Sequence, residues 1–187
     1  MHREALIVAR LGADLRALRK TRGLTLEALA SQLDCSVGWL SQVERDISSP
    51  DPQDVSRLAR ALDVPMSILD QSAPAREEGR LVRNGHHRAI GERAKGLTEM
   101  LLSPDLTDAF QVIHSVFAPG AERREPVVRP TQEVAYLMEG RLDIWLDEDK
   151  FTVTQGDSFR VRDQALTWAN PYDRPATLIW VISPPVY

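Results

Sequence analysis

The spacing of apolar residues changes once along this chain of 187 residues, and that change is the strongest constraint on its fold. Up to Leu69 the apolar residues recur every three or four positions, the spacing of helices with one buried face. Beyond Gly96 they alternate with polar residues or form short β-branched and aromatic runs, which are typical of strands. The sequence therefore predicts a helical domain over residues 1–70, a linker over residues 71–96 and a β domain over residues 97–187.

Start and stop signals divide the helical domain into short helices. Thr25 and Asp51 stand before two of the apolar runs as N-caps, Ser36 before a third, and Gly23 ends the first helix. The loops between these signals are only a few residues long. We expect a compact cluster of five helices, which lie over residues 9–21, 25–33, 36–46 and 51–62, with a last turn over residues 65–69.

The β domain is punctuated by turn signals that contain Gly, Pro, Asn and Asp. Many short strands at even spacing, with no helix between them, favour a small antiparallel barrel or sandwich. The predicted strands are residues 110–118, 133–138, 142–146, 151–154, 158–161, 166–169 and 177–182.

Composition excludes several classes of protein. The net charge is −4, and residues 1–50 carry seven basic against six acidic residues, so charge alone does not indicate nucleic acid. The single cysteine, Cys35, excludes an internal disulfide and a zinc site built on several thiolates. No apolar run is long enough for a membrane helix, and the first residues lack the apolar segment of a signal peptide. We expect a cytoplasmic protein.

The stretch from Leu24 to Arg45 has the features of a helix-turn-helix. Ala30 is small, as the crossing of two helices requires, and the helix after Ser36 begins with short or polar side chains that fit a major groove. In that groove a Gln can bind adenine, and a Val can contact a thymine methyl group. The candidate DNA-binding residues are Thr25, Ser36, Val37, Gly38, Trp39, Ser41, Gln42 and Arg45.

The segments LTLEALA, SVGWLSQVER and SPDPQDVSRLARALDV resemble the phage-repressor-like helix-turn-helix of the Xre family over about residues 11–69. This resemblance implies a regulator that binds a pseudo-palindromic double-stranded operator as a homodimer. Asp46 departs from the pattern, because the family usually has Gly there. We expect Glu44 to be a structural partner of Arg16 or Arg19 rather than a base reader.

The β domain resembles a cupin, through Gly120, Glu133 and Gly140 in a first motif and through the segment from Gly156 to Asn170 in a second. The resemblance implies an antiparallel jelly-roll barrel. Where the family has its metal-binding histidines, this chain has Pro126, Val128 and a residue near Thr167. Glu133 alone does not hold a transition metal, so we expect neither a metal nor another cofactor.

The mouth of such a barrel can hold a small effector, for which the candidate residues are Glu133, Tyr136, Arg160 and Thr167. A buried Glu133 favours an amine-bearing ligand, whereas inward-facing arginines favour a carboxylate or phosphate, and the sequence does not choose between them. Arg124, Arg129 and Arg162 are further candidates for the opening. In the alternative that the barrel only dimerises the protein, Trp145 or Trp180 marks the interface.

The function predicted overall is a dimeric transcriptional regulator, such as a repressor, with a metal-free cupin that senses a metabolite. One alternative is a metal-independent cupin isomerase or epimerase with a DNA-binding domain attached. Another is an antitoxin-like partner of a second protein. The operator, the effector and the direction of regulation stay open.

Overall fold

A computed structural model describes residues 11–69, 77, 79–91 and 93–187 of the chain. The chain divides into two compact units. The first ends at Ile90 and also includes Ser103–Asp108 and Tyr187, and the second consists of Gly91–Leu102 and Ala109–Val186. The boundary between the units therefore falls inside the stretch predicted as a linker, and two short pieces predicted with the β domain cluster with the helices.

Within its described residues, the first unit contains four α-helices rather than the five predicted. They are α1 (Leu11–Thr21), α2 (Leu26–Gln32), α3 (Val37–Val43) and α4 (Pro52–Ala61), followed by a 3-10 helix (Met66–Leu69) and a short strand, β1 (Arg88–Ile90). The predicted fifth helix is the 3-10 turn, because four residues are too few to build repeated bonds between residues four apart. Residues 9 and 10, where the first helix was predicted to begin, lie outside the described residues.

The core of the first unit is formed by the apolar positions that recur at helical spacing. Leu15, Leu29, Leu40, Leu58 and Leu62 are each fully buried. None of the described helices is long and apolar enough to cross a membrane.

Helix α3 ends at Val43, earlier than the predicted end at Asp46, because Asp46 adopts a left-handed backbone conformation with φ +55°. Asp tolerates this conformation better than most residues, so it serves where the resemblance suggests Gly. The Asp46 side chain accepts a hydrogen bond from the backbone N–H of Gly12 at 2.8 Å. A Cβ on Gly12 would lie 2.4 Å from the carbonyl oxygen of Val43, so α1 passes the end of α3 at a distance that only glycine allows.

The part of the second unit that the structure describes contains nine strands. They are β2 (Leu97–Leu101), β3 (Gln111–Phe117), β4 (Glu122–Val127), β5 (Gln132–Glu139), β6 (Arg141–Leu146), β7 (Asp149–Thr154), β8 (Ser158–Arg162), β9 (Leu166–Ala169) and β10 (Ala176–Ser183). Within this unit one antiparallel sheet has the order β2-β3-β10-β5-β8 and the other the order β4-β9-β6-β7. No strand among the described residues belongs to both sheets, so the backbone hydrogen bonds do not close into the barrel that was predicted.

Alternation along β5 defines the inside and the outside of this unit. Glu133, Ala135 and Leu137 are buried, whereas Val134 and Tyr136 are about half exposed. This is the pattern expected of a strand with one face in the core. The sequence assigned the same three residues to one face.

Asn170, in the second cupin-like segment, is fully buried and holds a turn rather than a ligand. Its side-chain amide donates to the carbonyl oxygens of Phe117 and Arg174, each at 2.9 Å, and its side-chain oxygen accepts from the N–H of Tyr172.

Candidate nucleic-acid interface and effector cavity

The N-terminal turn of α3 presents backbone and short side chains to solvent. Ser36 is the N-cap, and its hydroxyl accepts a hydrogen bond from the N–H of Trp39 at 3.0 Å. Val37 is 38% exposed, and a Cβ placed on Gly38 meets no atom within 4 Å. Another molecule can therefore contact the backbone of this turn directly.

Gln42 lies one turn after Gly38 and is exposed, so the two positions occupy the same side of α3. Ser41 is partly exposed and follows Val37 at the same spacing. The structure thus brings four of the predicted DNA-binding residues onto adjacent rows of one helix. Trp39 is also on α3 and is partly exposed.

The remaining predicted residues lie outside α3. The Thr25 hydroxyl accepts from the N–H of Ala28 at 3.1 Å and begins α2 as its N-cap. Arg45 follows α3, is exposed, and donates from Nε to the carbonyl oxygen of Ser41 at 3.0 Å. Ser36 is committed to its helix cap in the same way as Thr25.

An ion pair between Arg19 and Glu44 attaches the end of α3 to α1. Arg19 donates to both carboxylate oxygens of Glu44, at 2.6 and 2.9 Å, and also to the carbonyl oxygen of Leu24. The hydrogen bond to Glu44 raises the pKa of Arg19, although burial opposes it. Glu44 is therefore a structural residue, as predicted, and its partner is Arg19 rather than Arg16.

Several arginines of this unit donate hydrogen bonds to backbone carbonyl groups. Arg22 donates to the carbonyl oxygens of Leu62 and Tyr187, at 2.9 and 2.5 Å. Arg57 donates to the carbonyl oxygen of Leu33. Over residues 11–69, the exposed basic residues without an ion pair to a described residue are Arg16, Lys20, Arg45 and Arg60.

The second unit contains a cavity of about 50 Å³. Its apolar wall includes Phe117 and Trp168, whose rings meet edge to face at 4.7 Å between centroids. Trp180 also lines the cavity and is only 7% exposed, so it does not mark a surface interface. The polar lining residues are Arg93, Glu99, Arg123, Arg129, Thr131 and Glu133.

Each of the two lining carboxylates has its own partners. Glu133 accepts from the Thr131 hydroxyl at 2.7 Å and from Nη1 of Arg129 at 3.4 Å. Glu99 accepts from the Ser115 hydroxyl at 2.7 Å and lies 3.7 Å from Arg93 Nη1. Arg123, in contrast, makes no side-chain hydrogen bond or ion pair with any residue that the structure describes. The lining therefore contains three cations and two anions.

Only Glu133 of the four predicted effector-binding residues lines this cavity. Arg160 lies opposite Val134 in the β5–β8 ladder and, like Tyr136, belongs to the exposed outer face. Thr167 pairs with Trp145 and lies on the face away from the cavity, next to Trp168, which does line it.

Of the other arginines predicted near the opening, only Arg129 lines the cavity. Arg162 is exposed, and the Arg124 side chain is 84% exposed and paired with Glu122.

Sequence reasoning missed Arg93, Glu99 and Arg123. Arg93 lies in the predicted linker, and Glu99 lies on β2, a strand that was not predicted. Arg123 lies on β4, where the run ERREPV is too polar to be recognised as a strand. A usable signal was the alternation in β2, where Leu97, Glu99 and Leu101 are all buried.

The residues of this cavity do not fit a transition metal. Among the described residues, the lining carboxylates are Glu99 and Glu133, each beside an arginine, and no described histidine or cysteine lines the wall. Val128, at one position where cupins have a metal ligand, is 64% exposed. Among the residues that the structure describes, no group of three or more His, Cys, Asp or Glu side chains is arranged to hold a metal ion.

A second polar cluster surrounds Asp143 on β6, which is 5% exposed. Burial by itself would raise the pKa of this carboxyl. Hydrogen bonds from Lys150, Thr152 and Tyr172 outweigh burial and hold the pKa below its ordinary value of 3.8. The three donors lie at 2.7, 2.7 and 2.8 Å from the carboxylate oxygens.

The chain matches two protein families, one described as "Helix-turn-helix domain" over residues 10–68 and one described as "Cupin domain" over residues 113–182. The "Transcriptional regulator ClgR" of Mycobacterium tuberculosis is 29% identical over 103 residues, which are 54% of this chain and 92% of that protein. The "HTH-type transcriptional regulator SutR" of Escherichia coli is 26% identical over 151 residues, 80% of each chain.

The solved structures that this chain matches include an "HTH_3 family Transcriptional Regulator from Vibrio cholerae". The match covers 98% of this chain and 100% of the Vibrio cholerae chain, with 20% sequence identity and a TM-score of 0.44. The two matched families follow each other along the chain, and both curated relatives are named transcriptional regulators. This chain therefore has the domains of a transcriptional regulator, a helix-turn-helix DNA-binding domain followed by a cupin domain.

Proposed function

We propose that this protein is a dimeric regulator that recognises a specific operator with α3 and changes its operator affinity when a small molecule occupies the cupin cavity. The observation that carries the DNA-reading role is the open N-terminal turn of α3. A Cβ added at Gly38 would have no neighbour within 4 Å, and Val37 and Gln42 are exposed beside it. A recognition helix requires such a turn, because its first residues enter the major groove.

Gln42 is the proposed base reader. Its side-chain amide makes no hydrogen bond within the part of the chain that the structure describes, so the amide is free to meet a base edge. A Gln can bind N6 and N7 of adenine through two hydrogen bonds, and Val37 can contact a thymine methyl group. Ser36 and the first N–H groups of α3 support the helix against the phosphate backbone.

The low positive charge of the first unit supports a dimer. With Arg19 and Arg22 engaged within the protein, few cations are left to neutralise phosphates, and one copy binds DNA weakly. Two linked copies on adjacent half-sites gain affinity, because the second contact forms at high effective concentration. We therefore expect half-sites about one helical turn apart.

The outer face of the sheet that contains β5 and β10 is the proposed dimer contact. Five large apolar side chains on this face are between 39% and 49% exposed, and they are Met100, Val134, Tyr136, Met138 and Val181. Val134 and Val181 are direct partners in the β5–β10 ladder, so the exposed residues are contiguous there. A contiguous exposed patch of this kind is typical of a protein interface. A second copy of this face fits it, since operator binding already requires two copies.

The decisive experiment selects operators from random double-stranded DNA with the full-length protein and then measures affinity for the selected and for unrelated DNA. The Gln42→Ala variant is expected to lose about 1–3 kcal/mol of binding to the operator and to relax base preference at one position per half-site. Gln32→Ala, which changes an exposed Gln at the end of α2, is the matched control and should keep wild-type preference. If no sequence is enriched, or if both variants behave alike, the proposed reading helix is refuted.

The regulatory part is tested separately. Metabolites are screened for a change in affinity between the protein and its selected operator, with and without a metal chelator. We expect at least one small molecule to change the affinity, and we expect the chelator to have no effect. An effect that disappears with the chelator would contradict the metal-free mechanism, and a broad screen without any effect would leave dimerisation as the role of the cupin domain.

A further inference from the structure

The charges that line the cupin cavity do not balance among themselves. Glu99 is engaged by Arg93 and Ser115, and Glu133 is engaged by Arg129 and Thr131. Each pair places one cation beside one anion. A ligand amine would have to compete with an arginine already in place for either carboxylate, so the two acids do not favour an amine.

Arg123 is the lining cation that has no ion pair with a described residue. It lies on β4 directly across from Trp168 in the β4–β9 ladder, and both residues line the cavity. Its guanidinium has no hydrogen bond or ion pair with the described residues, and the side chain is partly exposed. Among the described lining residues, Arg123 thus carries one positive charge without a counter-charge and remains accessible to solvent. A planar guanidinium is suited to bind a carboxylate or phosphate through two parallel hydrogen bonds.

The remaining lining residues indicate the chemical nature of the rest of the ligand. Beside Arg123 the lining is mainly apolar, with the edge-to-face pair of Phe117 and Trp168 and with Ile113 and Trp180. The volume of about 50 Å³ leaves room for about four water-sized groups. A fully hydrated inorganic ion would leave this apolar wall in contact with water, whereas a short hydrocarbon body would cover it.

We propose that the ligand of this cavity is a small organic acid with one negative charge, whose carboxylate binds Arg123 and whose short apolar body packs against Phe117 and Trp168. This assignment rests on the proposed function in taking the cupin cavity as the effector site, and it selects an anion where the sequence left amine and anion open. The three parts of the site have separate roles. Arg123 supplies the charge, the aromatic pair supplies the apolar contact, and the two Arg–Glu pairs make the remaining wall neutral.

The test is isothermal titration of the full-length protein with unbranched carboxylates from acetate to hexanoate and with benzoate. Butyramide serves as the uncharged match of butyrate, and inorganic phosphate serves as the second source of an anion. We expect a carboxylate of intermediate length to bind best and the amide to bind at least about tenfold more weakly, since a hydrogen bond to a charged group is lost. Phosphate should bind more weakly than that carboxylate, because it does not cover the apolar wall.

The variant Arg123→Gln should lose at least about tenfold in carboxylate affinity. Arg124→Gln changes the next residue, whose side chain is 84% exposed, and should bind like the wild type. Arg123 has no hydrogen bond or ion pair with the described residues, and the ion pair between Arg124 and Glu122 is exposed, so both variants should unfold close to the wild-type denaturant concentration. This control separates lost binding from lost structure.

Three results would overturn the assignment: no member of the acid series binds, the amide binds as well as its acid, or Arg123→Gln retains full affinity. Binding of phosphate alone would overturn the organic acid in favour of a phosphoryl ligand. Operator selection is unaffected by any of these results. A metabolite outside the acid series that still changes operator affinity would show that the ligand assignment has failed while the proposed regulatory function stands.

Discussion

Replacing Arg19 by Met removes the ion pair that holds the end of α3 against α1, and it should destabilise the first unit strongly. The change keeps much of the apolar stem of the side chain but removes the guanidinium. The Glu44 carboxylate, whose side chain is only 5% exposed, then loses both of its short hydrogen bonds. The carbonyl oxygen of Leu24 loses its donor as well.

The magnitude follows from the burial of the pair. Exposed ion pairs contribute about 0–1 kcal/mol, whereas removing one partner of a buried pair costs about 3–5 kcal/mol. The side chains of Arg19 and Glu44 are 11% and 5% exposed, so the pair is nearer to a buried than to an exposed ion pair but keeps some contact with solvent. We expect a loss of about 2–4 kcal/mol in the free energy of unfolding.

The assay is urea unfolding of the full chain followed by the helical signal in circular dichroism, because every described α-helix lies in the first unit. Arg16→Met is the matched control, since Arg16 is an exposed residue on the same helix and has no ion pair with the described residues. A double variant with Glu44→Leu should recover part of the loss, because it leaves no buried charge alone. Equal effects of Arg19→Met and Arg16→Met would refute the argument. So would a loss of DNA binding at unchanged stability, which would make the pair part of the DNA contact.

Other substitutions test further contacts of the structure. Gly12→Ala should lower the free energy of unfolding by about 1–3 kcal/mol, because the added Cβ would lie 2.4 Å from the backbone oxygen of Val43. At Gly38 the added Cβ meets no atom, so Gly38→Ala should leave the free energy of unfolding unchanged or raise it by up to about 1 kcal/mol. Denaturant unfolding of both variants measures the two effects. Folding lowers the pKa of Asp143, so its carboxylate contributes stability above about pH 4 that is lost as pH falls through the lowered pKa. The difference in unfolding free energy between wild type and Asp143→Asn should therefore be larger at neutral pH than in acid. A difference that does not change with pH would contradict this reasoning. Tyr136→Arg, on the exposed face of β5, should shift sedimentation from dimer to monomer, and a persistent dimer would exclude that face as the contact.

The helix-turn-helix was predictable from the sequence because its determinants are local. N-caps at Thr25, Ser36 and Asp51 act on amides three residues further along, and the structure has all three bonds. Apolar spacing placed the buried faces of the helices correctly. The end of α3 was harder, because it depends on the left-handed conformation of Asp46 and its bond to Gly12, which is 34 residues away.

In the β unit, seven strands and the two faces of β5 could be predicted from the residues alone, since alternation with period two is a local signal of which side meets the core. The lining of the cavity could not. Arg93 and Glu99 lie close together in the chain but more than twenty residues before Arg123, whose strand β4 is too polar to predict. Only the register between β4 and β9 places Arg123 against Trp168, and only the fold brings the two Arg–Glu pairs, each local in the chain, to the same cavity. Charged residues from distant segments of the chain meet through tertiary packing. The balance of charge in the cavity therefore depends on the fold and not on any one segment.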